Sequence, residues 1–290
     1  MTTGRSRIES ALEAAIAGVE ADSAPPMLAA AVRHAVFPGG ARVRPLLCLA
    51  VAEACGGRNV PVVDAAAVAI ELLHCASLAH DDLPCFDDAA TRRGRPSVHA
   101  AFGEPLAVLA GDALIVMAFD TLAQACAEAP DRLAPLITII SRGVGLPNGI
   151  VAGQAWESEP SPPLEAYQRA KTGALFVAAV MSGAAAAGAD PLPWRPLGEK
   201  LGLAYQVADD LIDAVCDEAQ AGKPTGRDVA LKRPSQATRL GHKRAFAHME
   251  ELVSAAAAAI PPCNSSERLR ALVRMQATRL APRQLARNAA

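Results

Sequence analysis

Apolar residues recur at three- and four-residue steps through most of this chain, the period of a helix face packed against a core. Proline and glycine punctuate the periodic stretches at Pro25-Pro26, Pro38-Gly39-Gly40, Gly56-Gly57, Pro160 to Pro163, Pro191 to Pro196 and Pro261-Pro262. The pattern predicts helices over 4–21, 27–36, 42–55, 62–83, 105–128, 132–157, 164–188, 195–217, 241–259 and 266–287, with no strand signal. Between the helices predicted over 195–217 and 241–259, Glu218 to Ser235 combines Gly222, Pro224, Gly226 and Pro234 with mixed charge, which predicts a long surface loop.

Composition sharpens the class. Hydrophobic residues make up 51% of the 290 positions and aromatics only 3%, so the apolar content is mostly Ala, Leu and Val, a mixture that favours helix. An all-α protein is expected: one domain over 1–290, a bundle of about ten or more helices around a central cavity. A formal net charge of −2 argues against a nucleic-acid partner, so an anionic ligand must be met by a few placed cations or a metal. The seven cysteines are scattered with no C-x-x-C pair and are read as reduced core thiols of a cytoplasmic protein. Met1 to Glu20 lacks the apolar core of a signal peptide. No run reaches membrane-spanning length without charge, Val177 to Ala189 coming nearest, so no transmembrane segment is expected.

Two acidic clusters interrupt the apolar pattern. Asp81-Asp82-Leu83-Pro84-Cys85-Phe86-Asp87-Asp88 places four carboxylates within eight residues, a repulsive arrangement unless solvated or bound to a cation. Hard oxygen ligands of this kind suit Mg²⁺, which bridges protein carboxylates to substrate phosphates. The alternative is a solvated helix end, where the helix dipole disfavours acids. Asp81 and Asp87 are six residues apart, so Pro84 must unwind the helix if both bind one ion; Asp88, seven on, shares Asp81's face without distortion. Arg92, Arg93 and Arg95 follow closely enough to grip the same polyanion, or else to neutralise the acids in surface pairs.

The second cluster, Asp209-Asp210-Leu211-Ile212-Asp213, has regular helical geometry: Asp209 and Asp213 share a face, with Gln206 one turn earlier. Lys223 and Lys232 follow on the predicted loop, where they are either solvated charges or a lid over a diphosphate.

Together with Lys171-Thr172-Gly173, these motifs resemble the polyprenyl synthase family, specifically the short-chain trans-prenyl diphosphate synthases, from about Gly39 to Leu240. The wording Pro84-Cys85-Phe86-Asp87-Asp88, Gly153-Gln154-Ala155-Trp156-Glu157 and Lys171-Thr172-Gly173-Ala174-Leu175-Phe176 is most similar to the geranylgeranyl diphosphate synthases of purple-bacterial carotenoid biosynthesis. The resemblance implies that Asp81 and Asp87, rather than Asp88, bind magnesium, and that Asp209 and Asp213 hold a further ion, three Mg²⁺ in all with diphosphate bound. It implies that Arg92, Lys171, Thr172, Gln206, Lys223 and Lys232 grip the allylic diphosphate, that Arg44, His74 and Arg93 take isopentenyl diphosphate, and that the protein is a homodimer. Two positions depart from the family. Gly39-Gly40-Ala41-Arg42-Val43-Arg44-Pro45 has Ala41 where a lysine is usual, which weakens isopentenyl diphosphate binding unless Arg42 substitutes. Glu157 stands where Asp is common, one methylene further out.

The expected reaction is a Mg²⁺-assisted condensation of isopentenyl diphosphate with dimethylallyl, geranyl or farnesyl diphosphate, through an allylic cation faced by oxygen dipoles of Gln206 and of the backbone near Lys171 and Thr172. Along the helix bearing Asp81, the small Ala76 and Ser77 sit ~6 to 7.5 Å back from it. They leave room past farnesyl length, with Leu73 and Ile70 as the next floor. Geranylgeranyl diphosphate is therefore the expected product. Farnesyl diphosphate synthase, a terpene cyclase and a non-catalytic prenyltransferase subunit are the competing readings.

Overall fold

Helices carry nearly all the regular structure in a computed structural model that describes residues 4–20, 23–215, 235–263 and 265–280. The described residues form two compact units, Met1–Ile140 with Ser182–Ala189 and Ser141–Met181 with Asp190–Ala290.

In unit 1, α1 (Gly4–Ala17) buries Ile8, Leu12 and Ile16, one per turn on a single face. It is followed by α2 (Pro26–Val36), α3 (Val43–Ala54) and α4 (Val60–Asp81). Asn59 caps α4 by accepting a hydrogen bond from the Val62 N–H, with proline in its first turn. α4 is buried almost all round and forms the unit's axis, packing on α3 and on α6 (Glu104–Ala125). Between them lie β1 (Thr91–Arg92), β2 (Arg95–Pro96) and α5 (Val98–Phe102). α7 (Pro130–Val144) and α10 (Ala174–Ala187) contribute residues to both units. Unit 2 otherwise contains α8 (Ile150–Ala155), α9 (Leu164–Gln168), a π segment Arg169–Gly173, α11 (Arg195–Val215), α12 (Gln236–Leu240), α13 (His242–Ala258) and α14 (Ser266–Leu280). Its main packing is α11 against α13.

The all-α expectation holds, with three corrections. The short antiparallel hairpin β1–β2 has no periodic signal; it forms because Arg93 and Gly94 both take positive φ (56° and 73°), as a tight primed turn requires. The predicted helix 132–157 is two helices, because Pro147 cannot continue α7. The predicted helix 164–188 contains the π segment at Lys171-Thr172.

Three helical stretches among the described residues, Val60–Asp81, Glu104–Ala125 and Leu164–Ala187, are long and apolar enough to cross a membrane by length and composition, contrary to the expectation of no transmembrane segment. Most of the first and third is buried inside the protein, whereas two thirds of the Glu104–Ala125 window is not. Lys223, Lys232 and nearly all of the predicted 218–235 loop lie outside the described residues.

Candidate functional site

The first acidic cluster sits where α4 ends. Past Asp81 the chain turns back on the helix, and loop amides take carbonyls that α4 leaves without helical partners. The Asp87 N–H donates to the Asp81 carbonyl (2.9 Å) and the Ala89 N–H to that of Asp82 (3.1 Å). This fold-back, with Asp88 left-handed at φ 46°, brings carboxylate oxygens of Asp81 and Asp87 within 4.8 Å of each other. Two hard oxygens at that spacing suit a divalent ion that keeps part of its water shell. The unwinding that the spacing demanded is present, and it begins after Asp81, ahead of Pro84.

The hairpin then presents the arginines. Arg92 donates to a single Asp82 oxygen through Nε (2.9 Å) and Nη2, and Nη2 lies 3.8 Å from Asp81. Asp82 is buried, and burial raises its carboxyl pKa; Arg92 opposes this while Asp81 and Asp87 add to it. Along α4 and at its C-cap, Glu71, His74 and Asp82 each hold one arginine: Arg42 at 2.6 Å, Arg44 at 3.4 Å, and Arg92. Burial, and after it the cations of Arg44, Arg93, Arg92 and Arg42, push the His74 pKa well below its ordinary value. His74 is thus a neutral ring whose Nε2 accepts from Arg44. Arg42, which sequence reasoning offered as a stand-in for the missing lysine, points inward with no exposed side-chain surface, bound to Glu9 and Glu71. Ala76 and Leu73 are buried in α4; Ser77 is half-buried and donates to the His74 carbonyl (2.8 Å).

In unit 2 two glycines let helices meet backbone to backbone. A Cβ on Gly153 of α8 would lie 2.2 Å from the Lys171 nitrogen, and one on Gly202 of α11 would lie 2.4 Å from the Gly173 Cα. This close approach allows Thr172 to donate to Gln206 Oε1 at 2.5 Å. Gln206 in turn donates to Asp210 (2.8 Å). Asp210 is buried and takes further bonds from Gln168 Nε2 (3.3 Å) and the Gln236 N–H (2.6 Å). Desolvation pushes its carboxyl up to about 6 against these bonds. Within this second cluster Asp209 is exposed and Asp213 buried. Glu157, on a 3₁₀ turn after α8, accepts from Lys171, from the Tyr167 hydroxyl (2.7 Å) and from Gln154 (3.2 Å).

Unit 1 therefore gathers Asp81, Asp87, Arg92, Arg93, Arg44 and His74, and unit 2 gathers Lys171, Thr172, Gln206, Asp209 and Asp213. Sequence reading missed Gln168 and Gln236, whose hydrogen bonds to Asp210 span 42 and 26 residues. No local pattern marks such partners, although the glycines at 153 and 202 were a visible sign of close helix approach.

Residues 25–265 match the family model described as polyprenyl synthetase. The chain is 52% identical to the geranylgeranyl diphosphate synthase of Cereibacter sphaeroides over 97% of both chains, and 49% identical to that of Rhodobacter capsulatus over 94% of this chain and 95% of the relative. Its structure is similar to that of a Helicobacter pylori geranyltransferase solved with magnesium and isoprenyl diphosphate, with a TM-score of 0.79 and 32% identity over 95% of this chain and 98% of that one.

Proposed function

The chain belongs to the polyprenyl synthetase family and is a prenyltransferase; from this premise we propose that it adds isopentenyl diphosphate head to tail to allylic diphosphates and releases geranylgeranyl diphosphate. The observation that carries this reading is the 52% identity, over 97% of both chains, to a geranylgeranyl diphosphate synthase.

From unit 1, Asp81 and Asp87 are the proposed magnesium ligands, Arg92 a cation for the allylic diphosphate, and Arg44, His74 and Arg93 the holders of isopentenyl diphosphate. From unit 2, Asp209 and Asp213 are proposed as ligands, and Lys171, Thr172 and Gln206 as donors and dipoles toward the allylic group. Lys223 and Lys232 remain proposed on sequence. Three ions are proposed with diphosphate bound, and the donor set fits: paired hard carboxylate oxygens with cations alongside. Bound magnesium supplies charge neutralisation to the departing diphosphate.

The protein's own part is electrostatic. Gln206, oriented by Thr172 and Asp210, presents a fixed dipole to the positive charge that develops on the allylic carbon. The isopentenyl π bond closes the new carbon–carbon bond there, and the proton lost afterwards goes to the released diphosphate. His74, Arg44 and Arg93 are proposed to hold the isopentenyl diphosphate group, with Arg44 donating to His74 Nε2.

A homodimer and a cytoplasmic location are part of the same proposal. The dimer is supported by an apolar exposed face on α6, where Val108, Leu109 and Val116 are 41%, 49% and 68% exposed. Purified protein with isopentenyl and farnesyl diphosphates should release pyrophosphate with Mg²⁺ and stop with EDTA. Absence of release would favour the non-catalytic subunit, and consumption of geranylgeranyl diphosphate alone would favour a cyclase.

A further inference from the structure

Arg42 is an arginine with no exposed side-chain surface in a protein where a nearby anion site needs cations. Its guanidinium is committed: Nη1 donates to Glu71 (2.6 Å), Nε and Nη2 fork onto the two oxygens of Glu9 (3.1 Å each), and Nη2 also donates to the Val36 carbonyl (2.8 Å). The group lies flat on Gly39, where a Cβ would sit 1.9 Å from its central carbon. Its backbone is left-handed, at φ 52° and ψ 35°, a conformation that a non-glycine residue keeps only when its surroundings hold it.

The segment buckled in this way carries functional neighbours. Gly40 lies under Arg93, with 3.1 Å from its Cβ position to Nε, and α3 begins at Val43 so that Arg44 falls in its first turn beside His74. Two of the groups that hold the segment come from α1. Glu9 supplies the fork on Arg42, and Arg5 donates to the Gly40 carbonyl at 3.2 Å. A further pair, Arg7 with Asp64 at 2.6 Å, fastens α1 to α4. The family match begins at residue 25, so α1 lies outside it.

Resting on the isopentenyl diphosphate role proposed for Arg44, His74 and Arg93, we infer that α1 is a working part of that subsite: Glu9 and Arg5, with Glu71, are positioning residues that set Arg44 and Arg93 through Arg42 and the Gly39-Gly40 segment. Arg42 thereby supports the subsite from behind and does not replace the family lysine absent at Ala41.

The test compares the full-length wild type with Glu9→Gln, Glu9→Asp and Arg5→Ala, reading KM separately for isopentenyl and farnesyl diphosphates. Loss of one charged fork bond is expected to raise the isopentenyl diphosphate KM roughly tenfold in Glu9→Gln. The farnesyl diphosphate KM should stay within about twofold, with Glu9→Asp intermediate. A merely structural role would instead raise both KM values together or lower kcat alone, and either result overturns the inference, as does an unchanged isopentenyl diphosphate KM. If Glu9→Gln does not fold, Arg5→Ala decides by the same ratio, since Arg5 is largely exposed on α1. If the wild type makes no prenyl product, the proposed reaction fails on its own. Calorimetric binding of isopentenyl diphosphate to wild type and variant then applies the same ratio, and absence of binding by the wild type overturns the inference too.

Discussion

Gly202→Ala tests how closely the chemistry depends on helix spacing in unit 2. The new methyl would lie 2.4 Å from the Gly173 Cα and 3.3 Å from that residue's carbonyl, backbone atoms that no rotamer change can move. Ordinary contact requires α11 and the π segment to separate by about 1 Å. Gln206 lies one turn along from Gly202, so its 2.5 Å bond from Thr172 would stretch to roughly 3.5 Å and be lost. Alanine gains about 1 kcal/mol of helix propensity over glycine, while overpacking costs about 1–3 kcal/mol, so the net loss of stability should be about 0–2 kcal/mol, too small to unfold the protein. A misplacement of ~1 Å should cost on the order of 100-fold in kcat. Gly173→Ala is the control, because its Cβ would meet nothing nearer than 3.8 Å. Steady-state turnover and a thermal melt of both variants decide. Full activity in Gly202→Ala, or equal losses in both, would refute the spacing argument.

Three further outcomes are expected. Ala76→Phe fills a buried position on α4 and should shorten the product to farnesyl diphosphate; an unchanged product distribution would sink the floor argument. Ala41 is exposed, so Ala41→Lys should lower the isopentenyl diphosphate KM several-fold, about 1 kcal/mol for one charge-assisted contact, and a titration of initial rates would expose the failure if KM did not move. Unfolded His74 takes up a proton below pH ~6.5 whereas the folded ring does not, so its contribution to stability is present above that pH and lost as pH falls through it. Urea unfolding at pH 7.5 and 5.5 should show this loss in the wild type, by up to about 1.4 kcal/mol per pH unit, and less of it in His74→Gln; identical slopes would contradict the lowered pKa.

What was legible in the sequence was local. The helical register of α4 and α11 followed from apolar spacing, and the need for the chain to unwind between Asp81 and Asp87 followed from their six-residue step. What was not legible depended on backbone state or distant partners. The Arg93-Gly94 turn lacks the Asn-Gly signature, yet both residues take positive φ. The π turn at Lys171 leaves the surrounding apolar pattern intact. Asp210, spelled like its two flanking acids, turns into unit 2 because Gln168 and the Gln236 amide meet it there. The inward direction of Arg42 is set by Glu9 and Glu71, 33 and 29 residues away.

The most direct measurement is the mass of the prenyl product made by the wild-type protein from isopentenyl and dimethylallyl diphosphates with Mg²⁺. The account predicts geranylgeranyl diphosphate as the main product. Accumulation of farnesyl diphosphate as the end product, with no geranylgeranyl diphosphate on prolonged incubation, would contradict it.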